Sequence, residues 1–258
     1  WALKVLLSSE SVQSACRLLR LNWESAHALM KRAVDRGLQR RSLEDLEYIG
    51  IDEKSFGRGQ DFGTLCNDLK QGRVLEVIRG RTSESACEAL GCMSPEQARK
   101  VKAACLDMCA AYEKALILSL PWAVRVYDRF HISKLLGEAV DIVRRAEHKQ
   151  ISKEGEEALK GSRYDWLRDP ANLSEKGLER ITRLLAADLK TGKAYGYRIN
   201  FYEFWSCRDR DEAKRFFKVW YKSAVRSKLA LIAKVAKTRK SHLEGRLNYF
   251  HQRITNAM

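Results

Sequence analysis

The chain reads as an α/β protein built on an RNase H-like mixed five-stranded sheet, with an N-terminal helix-turn-helix and a large all-α insertion. Three observations predict this. Short apolar runs between Leu46 and Arg79 are separated by glycine-containing turns. Two later apolar runs, at 103–106 and 123–127, alternate with segments of helical period. From about His148 to Lys240 the whole sequence is amphipathic with helical spacing.

Taken in order, residues 9–37 give two helices. Val12, Ala15, Cys16 and Leu19 form one apolar face, and Ala26, Leu29, Met30 and Ala33 form another. Asn22 is the expected N-cap of the second helix and Gly37 its C-cap. A small residue at Cys16, a tight turn at Arg20-Leu21-Asn22 and apolar Ala26 and Leu29 fit a helix-turn-helix, although Arg20 stands where Gly is common. On that reading Trp23, Glu24, Ser25 and His27 begin the DNA-reading helix, with Lys31, Arg32 and Arg36 near phosphates. A plain helical hairpin is the competing reading.

Strands are expected at 46–52, 62–68 and 73–79, joined by turns at Gly57-Arg58-Gly59 and Lys70-Gln71-Gly72. A helix follows at 83–90. Ser94-Pro95-Glu96-Gln97 opens another, with proline in its first turn. A strand at 103–106, a helix at 110–118, a strand at 123–127 and a helix at 131–145 complete the core. The helical block beyond is broken near Gly161, Asp169-Pro170 and Gly192, with Ser174 capping one of its helices. Three antiparallel strands feeding into parallel strands with crossover helices is the RNase H-like plan, in which the first strand is central and the fourth lies beside it. The expected organisation is a helix-turn-helix segment at 1–42, a sheet core at 43–147, a helical block at 148–240 and a closing segment at 241–258.

With 258 residues, 45% hydrophobic and 31% charged, the chain can hold a substantial core and has a soluble composition. Its longest nearly uncharged stretch, 115–124, is too short to cross a bilayer, and nothing at the start resembles a signal peptide. Seven scattered cysteines without a Cys-x-x-Cys pair read as small hydrophobes in a reducing cytoplasm rather than a zinc site or a disulfide framework. Trp1 in place of Met suggests a chain that starts inside a longer reading frame.

The formal net charge of +15 points to a polyanion. Between Lys218 and Arg253 there are ten basic residues and one acid, Glu244, with Trp220, Tyr221, Tyr249 and Phe250 interleaved. Lys218, Lys222, Arg226, Lys234, Lys237, Arg239 and Lys240 are the expected contacts to DNA backbone in this stretch.

Against that background the acids stand out. Asp52 is expected to end the first strand, Asp107 the fourth and Asp128 the fifth, so all three meet one edge of the sheet, with His131 in the next helical turn pointing back toward them. Strand ends lie roughly 5 Å apart. Asp52 and Asp107 could together hold two divalent cations, Mg²⁺ or Mn²⁺, beside a scissile phosphodiester. The competing reading is that each Asp merely caps a helix or turns a strand. Glu53 alternates to the other face.

Ile49-Gly50-Ile51-Asp52-Glu53-Lys54-Ser55-Phe56, Asp128-Arg129-Phe130-His131, Glu203-Phe204-Trp205-Ser206-Cys207 and Asn248-Tyr249-Phe250-His251-Gln252-Arg253-Ile254-Thr255-Asn256 together resemble the ISL-three group of bacterial insertion-sequence transposases. The resemblance covers essentially the whole chain. It implies that the last three segments are a DDE catalytic core at 43–147, a helical insertion at 148–240 and the start of a final core helix at 241–258. It further implies metal-dependent strand cleavage and strand transfer, double-stranded DNA partners (element ends and target), assembly as a homo-oligomer on DNA, and a bacterial cytoplasmic, nucleoid-associated protein with no membrane association. It makes Asp52 the first catalytic acid. For the second, strand order favours Asp107, while the Asp128-x-x-His131 pattern resembles a signature that follows the second acid in several transposase superfamilies. The family's third acid, a Glu shortly after Ile254-Thr255-Asn256, would fall beyond Met258, and a cysteine-rich zinc-binding segment would precede Trp1. The expectation is therefore a transposase lacking both termini. The alternatives are a non-catalytic DNA-binding remnant and an RNase H-like cellular nuclease.

Overall fold

The computed structural model describes residues 1–57, 61–155 and 157–256, so Arg58 and Gly59 of the expected first turn lie outside the described residues. The chain divides into two compact units, Trp1–Asp45 and Leu46–Met258.

The first unit is three helices: α1 (Ala2–Ser8), α2 (Val12–Leu19) and α3 (Trp23–Arg40). The buried positions of α2 and α3, Ala15, Cys16 and Ala26, are all small, which lets the two helices approach closely. Asn22 Oδ1 accepts the Ser25 amide at 2.8 Å and starts α3 as its N-cap. Arg20 ends α2 in the left-handed region, at φ 51° and ψ 40°, the conformation that favours glycine. Gly37 does not end the second helix: α3 runs on to Arg40, because the residues after Gly37 include Leu38, Gln39 and Arg40, all good helix formers. The sequence reading also missed α1.

The second unit holds the sheet. Its strands are β1 (Tyr48–Ser55), β2 (Phe62–Asp68), β3 (Arg73–Arg79), β4 (Ala103–Leu106) and β5 (Val124–Tyr127), in the order β3-β2-β1-β4-β5. β1 pairs antiparallel with β2, and β2 with β3, whereas β1–β4 and β4–β5 are parallel. This is the RNase H-like arrangement, with β1 central. β4 is buried throughout, which explains its uninterrupted Ala-Ala-Cys-Leu composition. Helices α4 (Ser83–Leu90), α5 (Pro95–Lys100) and α6 (Ala110–Ser119) supply the connections, and α4 packs on β2, β3 and α6. Thr82 and Ser94 begin α4 and α5 with capping boxes.

After β5 comes α7 (Arg129–Lys153), longer at both ends than expected and continuous through residue 148. The helical block then comprises α8 (Arg163–Leu167), α9 (Glu175–Leu185), α10 (Lys190–Ser206), α11 (Arg210–Arg226) and α12 (Ala230–Ser241), of which α8, α10 and α12 pack on α7. Two short helices, α13 (Leu243–Leu247) and α14 (Tyr249–Gln252), bring the chain back to β5. The return is pinned by Asn248 Nδ2 donating to the Arg125 carbonyl at 2.8 Å.

The pleat assigns faces. Tyr48, Gly50 and Asp52 of β1 lie opposite Ala103, Cys105 and the position of Asp107, and these lie level with Val124, Val126 and Asp128. Ile254 covers this face, packed with Ala103, Cys105 and Val126. Among the described residues no helix is long and apolar enough to cross a membrane.

Candidate active site and nucleic-acid interface

Because Ile51 is level with Leu106 and Leu106 with Tyr127, the next residues Asp52, Asp107 and Asp128 form one row across three neighbouring parallel strands. One expectation needs correction: Asp52 does not end its strand. β1 continues to Ser55, paired only with β2. β4 stops at Leu106, so the side of β1 that faces β4 opens at Asp52 and leaves room beside its carboxylate.

His131, in the first turn of α7, stands among the three acids. Its Nε2 is 3.5 Å from Asp52 Oδ1 and 3.9 Å from Asp128 Oδ2, and its Nδ1 is 3.3 Å from Asp107 Oδ2. The hydrogen bond to Asp52 raises its pKa above the ordinary imidazole value, aided by the charges of Asp107 and Asp128 against the opposing effect of burial. Asp52 Oδ1 accepts the Glu53 amide at 2.7 Å and Asp107 Oδ1 the Met108 amide at 2.5 Å, which sets the orientation of both carboxylates. Asp128 stands at the N-cap position of α7 but makes no side-chain cap hydrogen bond. Instead its Oδ1 accepts the Thr255 hydroxyl at 2.7 Å. The helix-cap reading therefore does not account for Asp128. Glu53 faces away, as alternation requires, with its carboxylate 3.8 Å from Arg81.

Asp52 and Asp107 are partly exposed, at 29% and 27%, while Asp128 is 2% exposed. Among the described residues no Lys or Arg ion-pairs with any of the three, although the chain carries 48 basic side chains. Near-complete burial of a carboxylate without a cation costs several kcal/mol unless hydrogen bonds or a metal offset it. Among the described residues no three or more Asp, Glu, His or Cys side chains are already gathered at metal-binding distances. The donor set nonetheless fits Mg²⁺ in kind: that ion takes one or two carboxylates, retains waters and completes its shell with substrate phosphate oxygens.

The sequence reading missed the support beneath this row. Asn256 Nδ2 donates to the Ile51 carbonyl at 3.0 Å, and a Cβ on Gly50 would lie 2.2 Å from Asn256 Oδ1. Gly50 thus leaves the space that seats the Ile254-Thr255-Asn256 segment beside Asp128. The available signal was its place two residues before Asp52 on the same face. Glu244 is directed elsewhere, ion-paired with Arg210 and 71% exposed.

The candidate DNA-contacting residues are only partly available. Trp23, Ser25, His27, Lys31 and Arg32 are exposed on α3. Lys218, Lys222 and Arg226 are exposed on α11, as are Lys234, Lys237 and Lys240 on α12. Arg239 is the exception: it is fully buried, with its guanidinium 4.5 Å from the Phe201 ring, and cannot meet phosphate. Burial and the neighbouring Arg246 hold its pKa well below the ordinary value. Trp220 and Phe250 are buried as well, packed edge-on in an aromatic cluster against Phe201 and Phe204 at 4.7 and 5.5 Å. Their interleaving with basic residues reflects a core. The seven cysteines form no disulfide with one another, and Cys16, Cys66, Cys105 and Cys207 are buried.

A central strand antiparallel to one neighbour and parallel to the other, with a row of carboxylates across it and the two strands parallel to it, defines an RNase H-like fold. The model of the ISL3 family, described as transposase, matches residues 49–258, and the chain belongs to that family. It is 28% identical over 243 residues to the transposase for insertion sequence element IS1001 of Bordetella parapertussis, covering 93% of this chain and 60% of the relative. It is 22% identical over 256 residues to the transposase for IS1557 of Mycobacterium tuberculosis, covering 90% and 57%. The chain thus spans about three-fifths of the length of these relatives.

Proposed function

We propose that this chain forms the DNA-binding and phosphodiester-processing part of an insertion-sequence transposase, acting as a DDE enzyme in which Asp52 and Asp107 hold Mg²⁺ or Mn²⁺. The observation that carries this reading is the row of three carboxylates on adjacent strands, with no Lys or Arg ion pair among the described residues, in a strongly basic chain. Bound divalent cations would supply an activated water and stabilise the departing 3′ oxygen during an in-line displacement.

The protein's own groups do the rest. Asp52 and Asp107 are held by the amides that follow them, so little reorganisation is needed to receive a cation. Asp128, hydrogen-bonded to Thr255, completes the row of carboxylates. His131 spans Asp52 and Asp107 and keeps them at a fixed separation. The exposed cations of α11 and α12 would hold DNA backbone, and α3 would read element ends. The third acid of the triad, element-end recognition, target capture and assembly on DNA belong to the same proposal.

The test is Asp52→Asn. It should abolish Mg²⁺-dependent nicking of DNA carrying the element's terminal repeats, with binding to that DNA unchanged in a mobility-shift titration. Undiminished nicking would remove Asp52 from the metal site. Wild-type binding without cleavage would favour the non-catalytic remnant, and cleavage of hybrid or branched DNA without terminal repeats would favour a cellular nuclease.

A further inference from the structure

A groove of about 980 Å³ runs between α7, α8 and α10 and is not used by the chemistry described above. It begins at Phe130, whose ring meets that of His131 edge-on at 5.6 Å. Its α7 wall then recurs at three- and four-residue spacing to Arg145. Fifteen residues of helix carry it about 22 Å away from the carboxylates.

Three features indicate what it accepts. The first is charge. Five basic residues on the lining, Lys134 among them, stand against the three acids Glu138, Asp141 and Asp169, so a cationic surplus remains, and Asp141 is paired with Arg145 and Arg163 at 3.3 and 3.5 Å. The second is a pair of buried donors without hydrogen-bond partners, Arg198 Nε and Trp205 Nε1. Arg198 is 4% exposed, and its other nitrogens donate to the carbonyls of Trp166, Leu167 and Arg168. A buried donor left unsatisfied costs about 1–3 kcal/mol, and because both residues line the groove, a side-chain shift that turns either N–H to a ligand acceptor recovers that cost. The third is aromatic surface: Phe130 is 60% exposed at the mouth, and Tyr202 and Trp205 line the wall.

We infer that this groove binds unpaired nucleotides of the strand whose phosphate is processed at Asp52 and Asp107. Bases offer a π-face to Phe130 and acceptors to the two orphaned N–H groups, while phosphates meet the guanidinium rim. A paired duplex hides those base edges and faces. The inference rests on DNA being the substrate of the carboxylate site, and its test separates the two.

Affinities of the whole chain for a short fluorescent thymidine oligomer and for a blunt duplex are compared in wild type, Phe130→Ala, Lys134→Gln and Trp205→Phe. Phe130 and Lys134 are exposed, so their variants keep the fold, and Trp205→Phe keeps an aromatic ring, smaller than indole, while removing the N–H. Phe130→Ala should weaken oligomer binding by about five-fold or more, the loss expected from one base–aromatic stack, and leave duplex binding within about two-fold. Lys134→Gln and Trp205→Phe should each weaken the oligomer selectively. Unchanged oligomer affinity in all three variants overturns the groove assignment, as does wild type that binds duplex but not oligomer. Wild type that binds neither overturns the DNA reading itself. Sedimentation showing self-association that is lost in Phe130→Ala would assign the groove to a second copy of the chain and overturn the nucleotide reading.

Discussion

Among single residues, Asp128 and Gly50 explain most about how the site is held. Asp128 is almost fully buried, pairs with no Lys or Arg among the described residues, and is held by the hydroxyl of Thr255, with His131 Nε2 3.9 Å away. Thr255 is placed there because Asn256 seats over Gly50. A methyl group at residue 50 would collide with Asn256 Oδ1 at 2.2 Å and Leu69 Cδ2 at 2.8 Å. Both are ends of side chains, so the sheet should survive while the Ile254-Thr255-Asn256 segment lifts off. Gly50→Ala should therefore cost about 1–2 kcal/mol in urea unfolding, within the usual range for overpacking. Nicking should fall further than stability does, because Asp128 loses its hydrogen bond. A variant with unchanged stability and full nicking would show that this seating does not matter.

At the scale of elements, the decisive step is the return of the chain from the helical block to the sheet. α13 lies on β5 with Gly245 directly against the Tyr127 ring, where a Cβ would approach two ring carbons at 2.4 Å. The ring cannot swing aside easily: Tyr127 is buried, and its hydroxyl is 3.3 Å from His242 Nδ1. Gly245→Ala should lower stability by about 1–3 kcal/mol through overpacking, partly offset by alanine's better helix propensity of about 1 kcal/mol. A measured gain in the thermal midpoint would contradict this packing. β2, β3 and β4 were legible in the sequence because glycine turns or capping boxes bound their apolar runs. The mid-strand position of Asp52 was not legible, since it depends on β2 continuing to pair where β4 has stopped. The length of α7 was hidden by its polar residues beyond Arg145, which only tertiary packing on α8, α10 and α12 holds in helix. Amphipathic helices place aromatics among cations whether they face a core or a ligand, so Trp220, Phe250 and Arg239 read as surface when they are interior.

For the whole molecule, the +15 net charge matters through where it remains exposed. Removing Arg239 from the expected contacts leaves Lys218, Lys222 and Arg226 on α11, and Lys234, Lys237 and Lys240 on α12. The two helices pack together, and the Lys240 ammonium lies 5.3 Å from the Tyr221 ring, so their cations belong to one rigid surface. Each cation that meets a phosphate displaces condensed counterions and contributes about −0.9 to the slope of log affinity against log salt. Six such contacts give a slope of about −5, before any contribution from α3. Replacing Lys222 and Arg226 with Gln should flatten that slope by about 2 and weaken binding to all duplex sequences alike, because backbone contacts carry no sequence information. Arg239→Gln should instead leave the slope unchanged and lower the thermal midpoint, since its guanidinium is packed on Phe201 inside the helical block. Salt titrations of fluorescence anisotropy on wild type and both variants distinguish the cases. A slope altered by Arg239→Gln, or untouched by the Lys222 and Arg226 pair, would place the DNA on a different face of the protein.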